Sequence, residues 1–301
     1  MKNFDLSVNI AGVTWKNPVT TASGTFSGQY TTGFYDPSLL GAVTTKGVAP
    51  LPWEGNPTPR IAETYGGMLN SVGLENKGVD DYITGELRAL KDLGATVICN
   101  VCGHSVDEYL EVVSKLDGTD VDMLELNISC PNISCGGIGF GTDANLAAEL
   151  VREVRKLTRK PLIVKLTPNV TDISAIARSV EEAGADAISL INTLLGMRID
   201  LRTGQPVLAN GTGGLSGPAV KPVAVRMVYQ VSRAVSLPVI GMGGIMTGAD
   251  ALEFLLAGAR AVAVGTAALI NPVAPIDILS ELTELLHDEQ TLELLRRNYE
   301  H

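Results

Sequence analysis

Positive charge is scarce in this sequence. Its 301 residues carry 23 Lys and Arg against 33 Asp and Glu, a formal net charge of −10. So acidic a chain lacks the positive field on which nucleic-acid binding depends, which argues against a partner of that class. Long apolar runs are missing as well. None approaches the ~20 residues needed to cross a bilayer, and the most apolar stretch, 251–274, is interrupted by Glu253 and Arg260. The opening MKNFDLSVN has no apolar segment of the kind a secretory leader needs, so a soluble, cytoplasmic protein is expected. Cysteine is limited to Cys99, Cys102, Cys130 and Cys135, too few for a disulfide framework in a chain of this length. The two pairs could be read as a four-thiolate zinc site. Both lie at the ends of strand-like runs among polar residues with other uses, so no metal is expected. Cys99 and Cys102 read as buried thiols. No G-x-G-x-x-G follows an early strand, which weakens a doubly wound open sheet. Low-complexity tracts are absent.

What the sequence does contain is a rhythm. With 45% hydrophobic residues it is globular. Strand-like runs at 18–24, 42–47, 95–101, 123–129, 162–167, 187–192, 238–243 and 261–266 are each followed by a polar or glycine-rich tip and then a helical pattern. Several runs are almost continuously apolar, as strands covered on both faces must be. Helices are predicted over 80–92, after Ser105, from Asp143, from Asp172 to Gly184 and from Thr247 to Gly258, each of the last four with a cap-forming residue at its start. Eight strands alternating with helices predict a single-domain (β/α)8 TIM barrel spanning 1–301. Two segments are additions to it. Residues 4–17 read as a hairpin turning at Ala11-Gly12 that plugs the N-terminal face. Residues 194–216 form a long insertion after the sixth strand, in which RIDLRTGQPVL reads as a hairpin and NGTGGLSG as a glycine-rich loop.

Chemistry in such barrels gathers at the C-terminal strand ends. Here those ends present Ser23-Gly24, Lys46-Gly47, Asn100, Asn127 with Cys130, Lys165, Asn192-Thr193, Gly241-Met242-Gly243-Gly244 and Gly265-Thr266. The glycines at the last two sit where barrels of this kind bind phosphate through backbone N–H groups. Lysines that end apolar strands should pair with a ligand anion or have a lowered pKa. Asn70, Asn100, Asn127, Asn132 and Asn192 form a set of amides suited to a flat heterocycle with several N–H and C=O groups. Cys130, in LNISCPN, could act as a nucleophile or a general base. His104 is the one histidine near a strand tip that could couple to it.

These motifs, taken together, resemble a known family. LNISCPN, GNPTPRIAETYGGMLNSVGLENKG (55–78), IVKLTPN (163–169), SLINT (189–193), GMGGI (241–245) and VGTA (264–267), in this order and over nearly the whole chain, look like class 1 dihydroorotate dehydrogenase. The resemblance implies an FMN-dependent oxidoreductase of pyrimidine biosynthesis that converts dihydroorotate to orotate. It implies Cys130 as general base toward C5, hydride transfer from C6 to flavin N5, and Lys165 beside the flavin as a stabilising cation. FMN would be lined by Ser23, Lys46, Gly47, Asn100, Asn127, Lys165, Ile191, Gly217, Gly243, Gly244, Gly265 and Thr266. Substrate would meet Lys46, Asn70, Ser71, Val72, Gly73, Leu74, Asn127, Asn132, Asn192 and Thr193. A lid from about Pro131 to Gly141 is expected to cover it. PRIAET and GGMLNSVGLEN look more like class 1B, which implies a homodimer of this chain within a heterotetramer, flanked by partner subunits that carry FAD and a [2Fe-2S] cluster and pass electrons to NAD+. The chain itself has no cysteine cluster fit for iron–sulfur ligation. Competing expectations are a fumarate-using class 1A enzyme, a flavin barrel acting on another pyrimidine, a Schiff-base aldolase using Lys46 or Lys165, and a scaffold without catalysis.

Overall fold

Apolar runs with no polar face must be buried on both sides, and here they become the parallel wall of a barrel. The computed structural model of the chain describes residues 5–129 and 139–299. In chain order its strands are β1 (Val8–Ile10), β2 (Val13–Trp15), β3 (Val19–Thr21), β4 (Val43–Thr44), β5 (Ile61–Thr64), β6 (Gly67–Asn70), β7 (Val97–Val101), β8 (Met123–Asn127), β9 (Leu162–Lys165), β10 (Ala187–Leu190), β11 (Leu194–Met197), β12 (Thr212–Ser216), β13 (Val239–Met242) and β14 (Ala261–Val264). Eight of them form one parallel sheet in the order β3-β14-β13-β10-β9-β8-β7-β4. Each lies within one of the eight runs predicted from the sequence. The sheet closes between β3 and β4 through side chains. Thr21 Oγ1 donates to Thr44 O (3.0 Å) and accepts from Thr44 N (3.0 Å), and Gly41 N donates to Val19 O (2.9 Å).

Side chains alternate across this wall. Cys99, Val101, Leu124, Leu126, Leu162, Val164, Ile188 and Leu190 face outward into the layer shared with the helices. Ile98, Met123, Ile163, Ala187, Ile240 and Ala261 face inward, where Ile10 and Trp15 of the β1–β2 hairpin pack on them. The hairpin turns at Ala11 (φ 52°) and Gly12 (φ 86°), the left-handed pair that a tight two-residue hairpin turn requires. It therefore closes one end of the barrel, as the sequence predicts. Trp15 is 0% exposed, so Trp15→Ala is expected to cost about 3–5 kcal/mol. Urea unfolding measures this; a loss under about 1 kcal/mol would show that the plug is not part of the core.

The predicted caps form. Ser105 accepts from Glu108 N, Asp143 from Asn145 N and Leu146 N, Asp172 from Ser174 N and Ala175 N, and Thr247 forms a reciprocal box with Asp250. Gly184 follows its helix at φ 104°. The helix over 79–92 carries a wide π-type turn at Ile83–Leu87.

One expectation is corrected. NGTGGLSG is not a loop: Thr212–Ser216 is a strand of a second, antiparallel sheet ordered β11-β12-β6-β5. The insertion after the sixth strand thus pairs with the excursion after the second. RIDLRTGQPVL does fold back on itself, with Ile199 bridged to Pro206 and Asp200 N donating to Gln205 O. Gly214 faces Thr193 so closely that a Cβ on it would lie 2.0 Å from Thr193 Oγ1, so only glycine fits there. Among the described residues no helix is long and apolar enough to cross a membrane.

Candidate active site

The inward alternation that puts Ile98, Met123, Ile163 and Ala187 in one layer puts polar residues above them. These are Asn100 on β7, Glu125 and Asn127 on β8, Lys165 on β9 and Ser189 on β10, all buried. Glu125, 3% exposed, accepts from Asn100 Nδ2 at Oε2 (2.6 Å) and from Ser189 Oγ at Oε1 (2.6 Å). Asn100 Oδ1 is fully buried and has no hydrogen-bond partner among the described residues. Lys165 is 4% exposed and stands opposite Asn127 and Ser189 in the ladder. Among the described residues no carboxylate pairs with its ammonium. A buried cation of that kind needs a ligand to complete it.

Around the mouth the predicted residues converge. A Cβ on Gly47 would meet Asn100 Oδ1 at 3.1 Å and Leu74 at 3.6 Å, so the second and third tips and the 70–74 segment adjoin. Asn127 Oδ1 accepts from Ser129 N (3.3 Å) and Asn192 Nδ2 (3.4 Å), and the buried Tyr109 hydroxyl donates to Asn127 O (2.6 Å). Ser129 Oγ donates to Lys165 O (3.2 Å). The chain leading to Cys130 is therefore pinned to β9 and to the helix Val106–Asp117. Asn70 pairs with Gly214, which packs on Thr193. Leu74 holds a left-handed backbone (φ 55°) next to Gly73 (φ 76°), and Ser71 Oγ and O accept from Asn56 Nδ2. Lys46, partly exposed, lies near Glu86. Burial pushes the Glu86 carboxyl up, against the Gly28 N–H, Lys46 and Lys77.

The seventh and eighth tips meet the sixth strand and the insertion. Gly243 (φ 122°) lies against Ile191, where a Cβ would stand 3.2 Å from its Cγ1. Gly244 (φ 83°) lies against Gly217 O, 2.8 Å from such a Cβ. Gly217 approaches Thr266, whose hydroxyl donates to Ser216 Oγ (2.8 Å), and Gly265 faces Ala22, next to Ser23. The glycines let these segments pack closely on one another, and the half-buried backbone at Gly243, Gly244 and Gly265 belongs to the tips where such barrels bind phosphate.

The structure thus brings Gly47, Asn100 and Leu74 together, Asn127 with Asn192, Asn70 with Gly214 and Thr193, and Gly243, Gly244 and Gly217 with Ile191 and Thr266. Cys130, Asn132 and Cys135, and all of the expected lid except Gly139, Phe140 and Gly141, lie outside the described residues. His104 stacks on Trp53 (4.0 Å between ring centroids) with Nδ1 3.6 Å from Glu108. Cys99 is a buried thiol, raised by burial to about 12, which removes it as a nucleophile. Glu125 and Ser189 are the residues that sequence reasoning missed. The signal was there: each interrupts an apolar run at the inward position, two residues after Met123 and Ala187.

Comparison with known proteins adds the following. Residues 5–286 match the family described as dihydroorotate dehydrogenase. The chain is 60% identical over 280 residues to the "Dihydroorotate dehydrogenase B (NAD(+)), catalytic subunit" of Alkaliphilus metalliredigens, covering 93% of each chain. It is 57% identical over 288 residues to the protein so named from Lachnoclostridium phytofermentans, covering 95% of this chain and 96% of the relative. The corresponding protein of Geobacillus kaustophilus is 54% identical over 285 residues, covering 94% and 91%.

Proposed function

The chain belongs to the dihydroorotate dehydrogenase family, and on that premise we propose that it is the catalytic subunit of an NAD+-linked dihydroorotate dehydrogenase of pyrimidine biosynthesis. The observation that carries this reading is the rim itself. Two lysines, four asparagines and two glycine tips lie at seven strand ends and in the 70–74 segment, at the C-terminal end of the barrel.

FMN is the cofactor these residues fit. Among the described residues Asn100 Oδ1 is a buried acceptor without a donor and Lys165 a buried cation without a carboxylate, and Gly243 and Gly244 put half-buried glycine backbone at the seventh tip. Gly243, Gly244, Gly265 and Thr266 would hold the phosphate; Ser23, Lys46, Gly47, Asn100, Asn127, Lys165, Ile191 and Gly217 would line the rest. Bound FMN would supply the two-electron acceptor for the hydride that leaves C6 of dihydroorotate. Cys130 takes the proton from C5 as the C5=C6 double bond forms. Lys165 holds positive charge where the electrons arrive. Lys46, Asn70 to Leu74, Asn127, Asn132, Asn192 and Thr193 orient the substrate ring and its carboxylate.

The relatives are named as catalytic subunits using NAD+, which supports a partner subunit. With four cysteines and no dinucleotide fingerprint in this chain, FAD and the [2Fe-2S] cluster belong to that partner, in a cytoplasmic heterotetramer built on a homodimer of this single-domain chain. The test compares acceptors for the FMN-loaded chain given dihydroorotate. An artificial dye is expected to be reduced, fumarate is not, and NAD+ is reduced only after the partner is added. Fumarate-dependent turnover by the isolated chain would contradict the NAD+-linked assignment.

A further inference from the structure

Glu125 lies inside the barrel on the strand that leads to Cys130, among residues the proposed mechanism uses, yet the mechanism gives it no part. A carboxylate only accepts hydrogen bonds. Both of its oxygens are engaged, Oε2 by Asn100 Nδ2 and Oε1 by Ser189 Oγ, each at 2.6 Å. Asn100 is its direct partner in the β7–β8 ladder, and Ser189 belongs to β10, so the carboxylate spans the inward face of β9 below Lys165.

An amide has one donating end and one accepting end. With Nδ2 committed to Glu125, Asn100 must turn Oδ1 the other way. That oxygen is fully buried, has no hydrogen-bond partner among the described residues, and lies 3.1 Å from where a Cβ on Gly47 would be. A buried acceptor left open is unfavourable until a donor arrives. A buried carboxylate is likewise a poor choice for packing alone, since an apolar residue of similar volume would serve as well or better.

We propose that Glu125 is a positioning residue that locks the Asn100 amide so that an acceptor, and not a donor, faces the cofactor site. The inference rests on the FMN reading. It implies that the part of the cofactor meeting Asn100 offers a hydrogen: the isoalloxazine ring N–H or a ribityl hydroxyl.

Reversing the polarity of the pair tests this. Asn100→Asp alone sets two carboxylates against each other. Combined with Glu125→Gln, the donor and acceptor change places, because the new amide donates, the new carboxylate accepts, and an oxygen still turns to the site. FMN is titrated into ligand-free chain by fluorescence quenching, alongside a thermal melt. Asn100→Asp is expected to weaken FMN binding about 30-fold, the scale of one buried charge-assisted hydrogen bond, and the paired variant to return within about threefold of wild type. A purely structural role would move the melting temperatures and leave the FMN Kd of the folded variants unchanged. The proposal is overturned if Asn100→Asp binds FMN like wild type, or if the paired variant binds no better than Asn100→Asp. Should Asn100→Asp not fold, the pair is compared with Glu125→Gln alone: tighter FMN binding by the pair supports the proposal, and equal or weaker binding overturns it. A wild-type chain that takes up no FMN is a failure of the cofactor reading, visible in the same titration before any variant is compared.

Discussion

Cys130→Ala is expected to slow the bleaching of bound FMN by dihydroorotate about 10²- to 10⁴-fold, the contribution of a positioned general base. The backbone just before Cys130 is held at three points: by the Tyr109 hydroxyl on Asn127 O, by the Asn127 side chain on Ser129 N, and by Ser129 Oγ on Lys165 O. These contacts hold the strand end from Asn127 to Ser129 in place. A thiol near pKa 8.5 is a usable base at neutral pH once a cation lies nearby, and Lys165 is the cation paired with Asn127 at the end of this strand. Cys130→Ser is expected to retain more activity than alanine and to need higher pH, since a hydroxyl gives up its proton less readily. Both variants keep FMN and orotate binding, because neither alters the rim. Stopped-flow absorbance under anaerobic conditions decides; a wild-type rate in Cys130→Ala would remove the base assignment.

Lys165→Met is expected to separate stability from function. The ammonium is buried in the barrel mouth without a carboxylate partner among the described residues. Removing an uncompensated buried charge leaves the ligand-free chain no less stable. Flavin reduction, in contrast, is expected to slow about 10²- to 10³-fold, as when one preorganised electrostatic contact to developing charge is lost. The two readouts are the urea midpoint of the ligand-free variant and the rate of anaerobic bleaching. A Lys165→Met chain that reduces its flavin at the wild-type rate would show that this cation has no part in the chemistry. One that melts far below wild type would show that Lys165 is paired in the ligand-free state.

Much of this was legible in the sequence, and the physical reasons are uneven. The eight barrel strands were visible because parallel strands are covered on both faces and so read as unbroken apolar runs. The caps at Ser105, Asp143, Asp172 and Thr247 were visible because they act within three residues of themselves. Thr212–Ser216 was not. Its sequence, TGGLS, has poor strand propensity, and what makes it a strand is pairing with Met68 to Asn70, more than 140 residues earlier in the chain. Glu125 was overlooked because a single carboxylate in an apolar run carries no meaning until its ladder partner, Asn100, is known. The rim residues were legible from their place at strand ends. The roles of Cys130 and Asn132 rest on the resemblance alone, since both lie outside the described residues.

The most direct measurement is the visible absorption spectrum of the purified chain, recorded anaerobically before and after dihydroorotate is added. The account predicts a flavin spectrum that bleaches on addition, with one equivalent of orotate formed per flavin. A flavin spectrum that dihydroorotate leaves unchanged, or a chain that takes up no flavin when FMN is supplied, would contradict it.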